Sequence, residues 1–182
     1  MNPSEHHLTL QDRCAAIELL VVDVDGVLTD GGIVHGSGGV ELKQFHVRDG
    51  SGLKVWHQAG KRSALVTGRT SPAVDVRAAE LGIPFVVQGA AEKLAAYRGL
   101  LDRTGLPPAA VCYLGDDLPD LPPLHHCGLA AAVADACAEV RAAAHYITRA
   151  PGGRGAVREV IELILRCQGA WQRLVDPMRN HG

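Results

Sequence analysis

The sequence predicts an α/β chain: one mostly parallel sheet, wound in both directions, with helices on both faces. Three observations predict it. Apolar strand-like runs alternate with helix-like segments from residue 19 to residue 166, the pattern of βαβ units. Helix punctuation falls where that alternation needs it, with Ser71-Pro72 at a start and Gly60 and Gly82 at ends. Finally, Asp23, Thr67 and Asp116 each stand at the end of an apolar run. That is the carboxyl edge, where open α/β sheets bind ligands.

Taken in order, Leu19-Leu20-Val21-Val22 opens a first strand over 19–23, apolar throughout as a doubly buried strand is. Residues 33–35 and 40–47 predict a β-hairpin about Gly36-Ser37-Gly38-Gly39. Asp49 is placed to cap a helix that runs to about Ala59. Strand 63–67 follows, then a helix from the Ser71 cap to Leu81. Residues 85–87 read as a strand, 90–103 as a helix, Pro107-Pro108 as a break and 111–114 as a strand. The proline-rich 118–126 predicts a short irregular passage. Residues 129–133 are a candidate strand, 136–144 a helix, 146–148 a last strand and 154–166 an amphipathic helix. No repeat or linker interrupts the chain. This predicts one domain over 1–182, with its core over about 17–171 and poorly ordered ends at 1–8 and 176–182.

Composition excludes several functions. Of 182 residues, 47% are hydrophobic and 21% charged, ordinary for a globular protein. A net charge of −2 draws neither nucleic acid nor an anionic membrane, and 4% aromatic content leaves few stacking platforms. No apolar run approaches the roughly 20 residues of a membrane span, and residues 1–11 lack a signal-peptide core. Cys14, Cys112, Cys127, Cys137 and Cys167 are scattered and odd in number; Cys112, Cys137 and Cys167 lie in strand or helix patterns and read as reduced core thiols of a cytoplasmic chain.

The chemistry begins at Asp23-Val24-Asp25-Gly26. One carboxylate can attack, and the other, on the following turn, can give and take a proton. Carboxylates so close repel, so the pair calls for a cation. Alone, such a segment is also a polar turn ending a strand. Three later segments agree with the sharper reading. Thr67 carries a hydroxyl to the same edge, and the N–H groups of Gly68 and Arg69 form an anion nest with it. Lys93 lies near a helix N-terminus, where positive charge adds to the macrodipole. Gly115-Asp116-Asp117-Leu118-Pro119-Asp120 again delivers acids after an apolar run, and Asp116 can complete a Mg²⁺ site with Asp23.

In this order the four segments resemble the haloacid dehalogenase superfamily. The resemblance is narrower still. Asp25-Gly26-Val27-Leu28-Thr29-Asp30-Gly31, Lys43-Gln44-Phe45, Arg48-Asp49-Gly50-Ser51-Gly52, Val66-Thr67-Gly68-Arg69 and Gly152-Gly153-Arg154-Gly155-Ala156-Val157-Arg158-Glu159 look like the 3-deoxy-D-manno-octulosonate 8-phosphate phosphatase family, over about residues 19–171. The resemblance implies a Rossmann-like doubly wound parallel sheet with a β-hairpin insertion and no cap domain. It implies Asp23 as nucleophile and Asp25 as acid and base. Thr67 and Lys93 would hold the phosphoryl group. Mg²⁺ would sit on Asp23, the Asp25 carbonyl and Asp116, with Asp117 and Asp120 in support. It implies a phosphorylated sugar acid as substrate and a homotetramer with packed hairpins. Gly68, Arg69, Arg77 and Arg154 are candidate substrate contacts by their amide and forked guanidinium chemistry. Gly152-Gly153 reads as a flexible tether that frees the C-terminal segment to reach a site.

Other residues weigh less. His125-His126-Cys127 has the residue types of a metal site but not the spacing. His46 is a candidate for the site mouth, and Trp56 for core or interface. Two further functions fit the same chain: a phosphatase for related nine-carbon sugar acid 9-phosphates, and a non-catalytic scaffold or regulatory subunit.

Overall fold

The computed structural model describes residues 8–179. Its central strand is β1 (Leu19–Val22), every residue of it buried. A short antiparallel hairpin, β2 (Val34–His35) with β3 (Glu41–Leu42), stands apart from the main sheet. The remaining strands are β4 (Arg62–Val66), β5 (Phe85–Val87), β6 (Val111–Gly115), β7 (Leu129–Ala132) and β8 (Tyr146–Ile147). They join β1 in the order β5-β4-β1-β6-β7-β8, every pairing parallel. The chain thus winds outward from β1 to β5, then returns and winds outward from β6 to β8. The reversal lies between β1 and β6, the topological switch point of a doubly wound sheet.

Eight helices are described: α1 (Leu10–Ala15), α2 (Val47–Gln58), α3 (Pro72–Leu81), α4 (Lys93–Thr104), α5 (Leu121–Leu124), α6 (Ala138–Ala143), α7 (Ala156–Cys167) and α8 (Trp171–Arg179). α1 and α2 pack on α7 and α3 on α2, while α4, α5 and α6 form a separate group. The apolar stripe of α7 places Val157, Val160, Ile161, Ile164 and Leu165 in the core. Trp56 is core as well, its indole N–H donating to the Arg62 carbonyl at 2.6 Å. No described helix is long and apolar enough to cross a membrane.

Several elements depart from expectation for local reasons. Asp49 does not cap its own helix, which begins at Val47. Its buried carboxylate accepts the N–H groups of Gly155 (3.1 Å) and Arg158 (2.9 Å), capping α7 instead. Ser71 precedes α3, but its hydroxyl makes no cap; its N–H donates to Gln88 Oε1 at 2.8 Å. α4 starts at Lys93 rather than Ala90: Glu92 is extended (φ −121°, ψ 99°), and the Ala90 N–H donates to the Thr67 carbonyl at 3.0 Å. The 118–126 passage is not irregular: a single 3₁₀ turn, Leu118–Asp120, leads into α5. Helix α1 was unforeseen, although Thr9 and Asp12 form a capping box. Residues 176–179 lie within helix α8. The expected disorder of 1–7 and 180–182 lies outside the described residues.

The glycine pair is not a tether. A Cβ at Gly152 would come 1.8 Å from the Gly26 carbonyl oxygen, and one at Gly153 would come 2.5 Å from the Asp30 nitrogen. The Gly153 N–H also donates to the Val27 carbonyl at 2.8 Å. These glycines let the segment before α7 lie directly on the turn that follows Asp23.

Candidate active site

Asp23 stands one residue beyond β1, its N–H donating to the Leu114 carbonyl at 3.0 Å. It therefore sits between the ends of β4 and β6, at the switch point. The chain then makes a wide turn over residues 24–28, closed by the Thr29 N–H on the Val24 carbonyl. Gly26 takes φ 94°, and a Cβ there would fall 2.0 Å from Asp116 Oδ2. Only glycine lets the Asp116 carboxylate approach the turn.

Lys93 is almost fully buried. Its Nζ lies 2.9 Å from Asp23 Oδ1 and 2.7 Å from Asp120 Oδ1. Asp120 is wholly buried and spends both oxygens: Oδ1 also accepts the Tyr113 hydroxyl (2.8 Å), and Oδ2 accepts the N–H groups of Asp116 (3.2 Å) and Asp117 (3.4 Å). Asp117 and Asp120 cap the following turn reciprocally. Asp120 thus ties Lys93 to the Asp116 loop. Thr67 is buried beside them, its hydroxyl accepting the Arg69 N–H at 3.3 Å.

Burial raises the Asp23 carboxyl to about 6; Asp120 adds to the rise and Lys93 opposes it. Burial raises Asp116 further, to about 8, with Asp23 and Asp120 reinforcing the effect. For Lys93, burial works against the charge, but Asp23 and Asp120 outweigh it and the net shift is upward. Carboxylate oxygens of Asp23, Asp116 and Asp120 lie within 4.8 Å of one another. Asp116 Oδ1 is buried with no hydrogen-bond partner among the described residues. Such oxygens, crowded and raised in pKa by their neighbours, fit a small hard cation. With Asp120 occupied, Asp23 and Asp116 remain to bind it.

These groups line a cleft of about 400 Å³ with Asp25, Gly68, Arg69, Ala90, Ala91, Asp117 and Pro119. A haloacid dehalogenase-like hydrolase family model matches residues 83–161. The chain is 48% identical over 153 residues to the 3-deoxy-D-manno-octulosonate 8-phosphate phosphatase of Escherichia coli K12, covering 84% of this chain and 81% of that one. The chain belongs to the 3-deoxy-D-manno-octulosonate 8-phosphate phosphatase family. Solved structures agree. The Moraxella catarrhalis phosphatase, in complex with magnesium, phosphate and the sugar acid, superposes with TM-score 0.90 at 43% identity, over 92% of this chain and 97% of that one. A cobalt-bound Haemophilus influenzae phosphatase superposes with TM-score 0.84 at 40% identity, over 86% and 92%.

In this phosphatase the cleft gathers Asp23, Asp25, Thr67, Gly68, Arg69, Lys93, Asp116 and Asp117, with Asp120 directly behind. Two predicted arginines lie elsewhere. Arg77 sits 5.7 Å over the Phe45 ring and pairs with Glu80 at 3.0 Å, in a separate 420 Å³ hollow. Arg154 pairs with Asp30 at 3.4 Å and lines a 580 Å³ groove with Arg48, Arg149 and Arg158. Neither arginine enters the cleft of its own chain.

Two residues beside the cleft, Glu41 and Lys43, carry no role in the sequence reading. Lys43 contacts Asp25 Oδ1 and lies 3.1 Å from Glu41 Oε1. Arg69 contacts Glu41 Oε2 through Nη2 and lies 3.9 Å from Asp25 Oδ2 through Nε. Hydrogen bonds from Arg69 and Lys43 hold Glu41 down at about 2. The signal was strand alternation, since residues two apart share a face. His126 Nδ1 is 2.7 Å from the Pro122 carbonyl.

Proposed function

We propose that this chain hydrolyses 3-deoxy-D-manno-octulosonate 8-phosphate, as one catalytic domain, through an aspartyl-phosphate on Asp23. The observation that carries the reading is Asp23 at the switch point, 2.9 Å from the buried Lys93 and beside Asp116 and Thr67.

An Asp23 carboxylate oxygen attacks phosphorus as the bond to the sugar oxygen breaks. Asp25 gives its proton to that departing oxygen. It then takes a proton from the water that attacks phosphorus, and the bond to Asp23 breaks to release phosphate. Lys93, the Thr67 hydroxyl and the N–H groups of Gly68 and Arg69 hold the phosphoryl oxygens, where transition-state charge is spread. Asp23, the Asp25 carbonyl and Asp116 would hold Mg²⁺, which when bound supplies positive charge to the phosphoryl oxygens. Asp120, with Asp117, keeps Lys93 and the Asp116 loop in place. Arg69 is the arginine available to substrate within one chain; Arg77 and Arg154 enter only through a second subunit.

A homotetramer is part of this reading. Ile33, Val34, Val40 and Leu42 of the hairpin are each more than half exposed. A patch of that kind on a capless phosphatase supports burial between copies. Five free cysteines support a reducing, cytoplasmic setting.

A panel of phosphorylated sugars tests the substrate. The eight-carbon 2-keto-3-deoxy acid phosphate should exceed hexose phosphates in kcat/KM by tenfold or more. A higher value for a nine-carbon acid would move the assignment to that substrate, and a flat profile would remove it.

A further inference from the structure

Glu41 is clamped between two cations beside the cleft. Its oxygens are divided between two cations, Oε1 facing Lys43 at 3.1 Å and Oε2 facing Arg69. Both cations also face Asp25, so Glu41, Lys43, Arg69 and Asp25 form one cluster that shares Asp25 and Arg69 with the cleft. The Lys43 side chain is only 3% exposed, and Arg69 lines the cleft itself. Glu41 Oε1 is buried, and Lys43 is the cation that faces it. Its carrier is a short hairpin of two residue pairs. Glu41 can leave the cations by rotating its own side chain, with the hairpin still packed between copies.

We infer that Glu41 is an internal stand-in for the substrate carboxylate, holding Lys43 and Arg69 until the sugar acid displaces it. This rests on the sugar-acid reading above. Exchange of one carboxylate for another leaves the charge of the cluster unchanged, with no cation stranded. A phosphate ester lacking a carboxylate cannot make that exchange and must share the mouth with Glu41. Selectivity then comes partly from an element set against the wrong ligand.

The test compares KM for the eight-carbon sugar acid phosphate and for p-nitrophenyl phosphate, with Mg²⁺, in the full chain. Glu41→Gln should lower KM for the sugar acid by at least threefold more than for the aryl ester. Glu41→Ala should act in the same direction. In an Arg69→Met background the selective gain should vanish, because the released cation is missing; a purely structural glutamate would shift both substrates alike, with or without Arg69. A raised KM for the sugar acid, an equal shift for both substrates, or an unchanged gain without Arg69 would each overturn the inference. If the unaltered enzyme fails to prefer the sugar acid, the functional reading falls and this one falls with it. If it does prefer the sugar acid and Glu41→Gln brings no selective gain, only the role of Glu41 is refuted.

Discussion

Gly152→Ala tests how the segment before α7 supports the catalytic turn. The added methyl would lie 1.8 Å from the Gly26 carbonyl oxygen and 2.6 Å from its carbon. Both are backbone atoms, so no side chain can swing aside. Relief to ordinary contact needs a shift of about 1 Å or more in one segment or the other. The Asp49 cap and the Gly153-to-Val27 hydrogen bond hold residues 152–158 in place. The turn carrying Asp25 and Gly26 therefore takes part of the movement. Overpacking of this kind costs about 1–3 kcal/mol, or roughly 2–12 °C in Tm at this chain length. A 1 Å misplacement of reacting groups costs roughly 100-fold in rate. Thermal unfolding and steady-state hydrolysis of an aryl phosphate read both effects. A variant with unchanged Tm and kcat within twofold of the parent would refute the reasoning.

Further predictions concern the metal, the pH response and assembly. Chelator should abolish turnover and Mg²⁺ restore it, with Ca²⁺ restoring little because of its longer bonds; full activity in excess chelator would exclude the metal. Asp23 and Asp116 rise from 3.8 to about 6 and about 8 on folding. Their stabilising share is therefore present below about pH 4 and lost as pH climbs through those values. In chelator, Tm should fall across that window, and the gain from added Mg²⁺ should grow with pH; a Mg²⁺ effect flat from pH 4 to pH 8 would contradict the crowded-carboxylate picture. Light scattering should report a mass near four chains, and a monomer at micromolar concentration would leave the exposed hairpin unexplained.

The sheet and most of the cleft were legible in the sequence because they follow local rules. Buried strands read as apolar runs, and Asp23, Thr67 and Asp116 are simply the residues after them. Lys93 needed tertiary information to tell a buried cation from a solvated one. Asp49 was misread because a capping residue looks the same whichever helix it caps, and its partner lies more than 100 positions away. Gly152 was misread for a related reason: close backbone approach and flexibility leave the same letter. Arg77 and Arg154 have the chemistry of anion partners, but nothing local fixes where a long side chain ends. Glu41 and Lys43 stand two apart within the strand expected over 40–47, yet β3 ends at Leu42 and the fold alone brings Lys43 to Asp25 and Glu41 to Arg69.

The most direct test of the mechanism is trapping on Asp25→Asn. With p-nitrophenyl phosphate the leaving group needs no acid, so attack by Asp23 proceeds, while hydrolysis lacks its base. Rapid quench and peptide mass spectrometry should find phosphate on the Asp23 peptide, with near one p-nitrophenolate released per site in the first turnover. Phosphate on another residue, or steady turnover with no phosphorylated protein, would contradict the account.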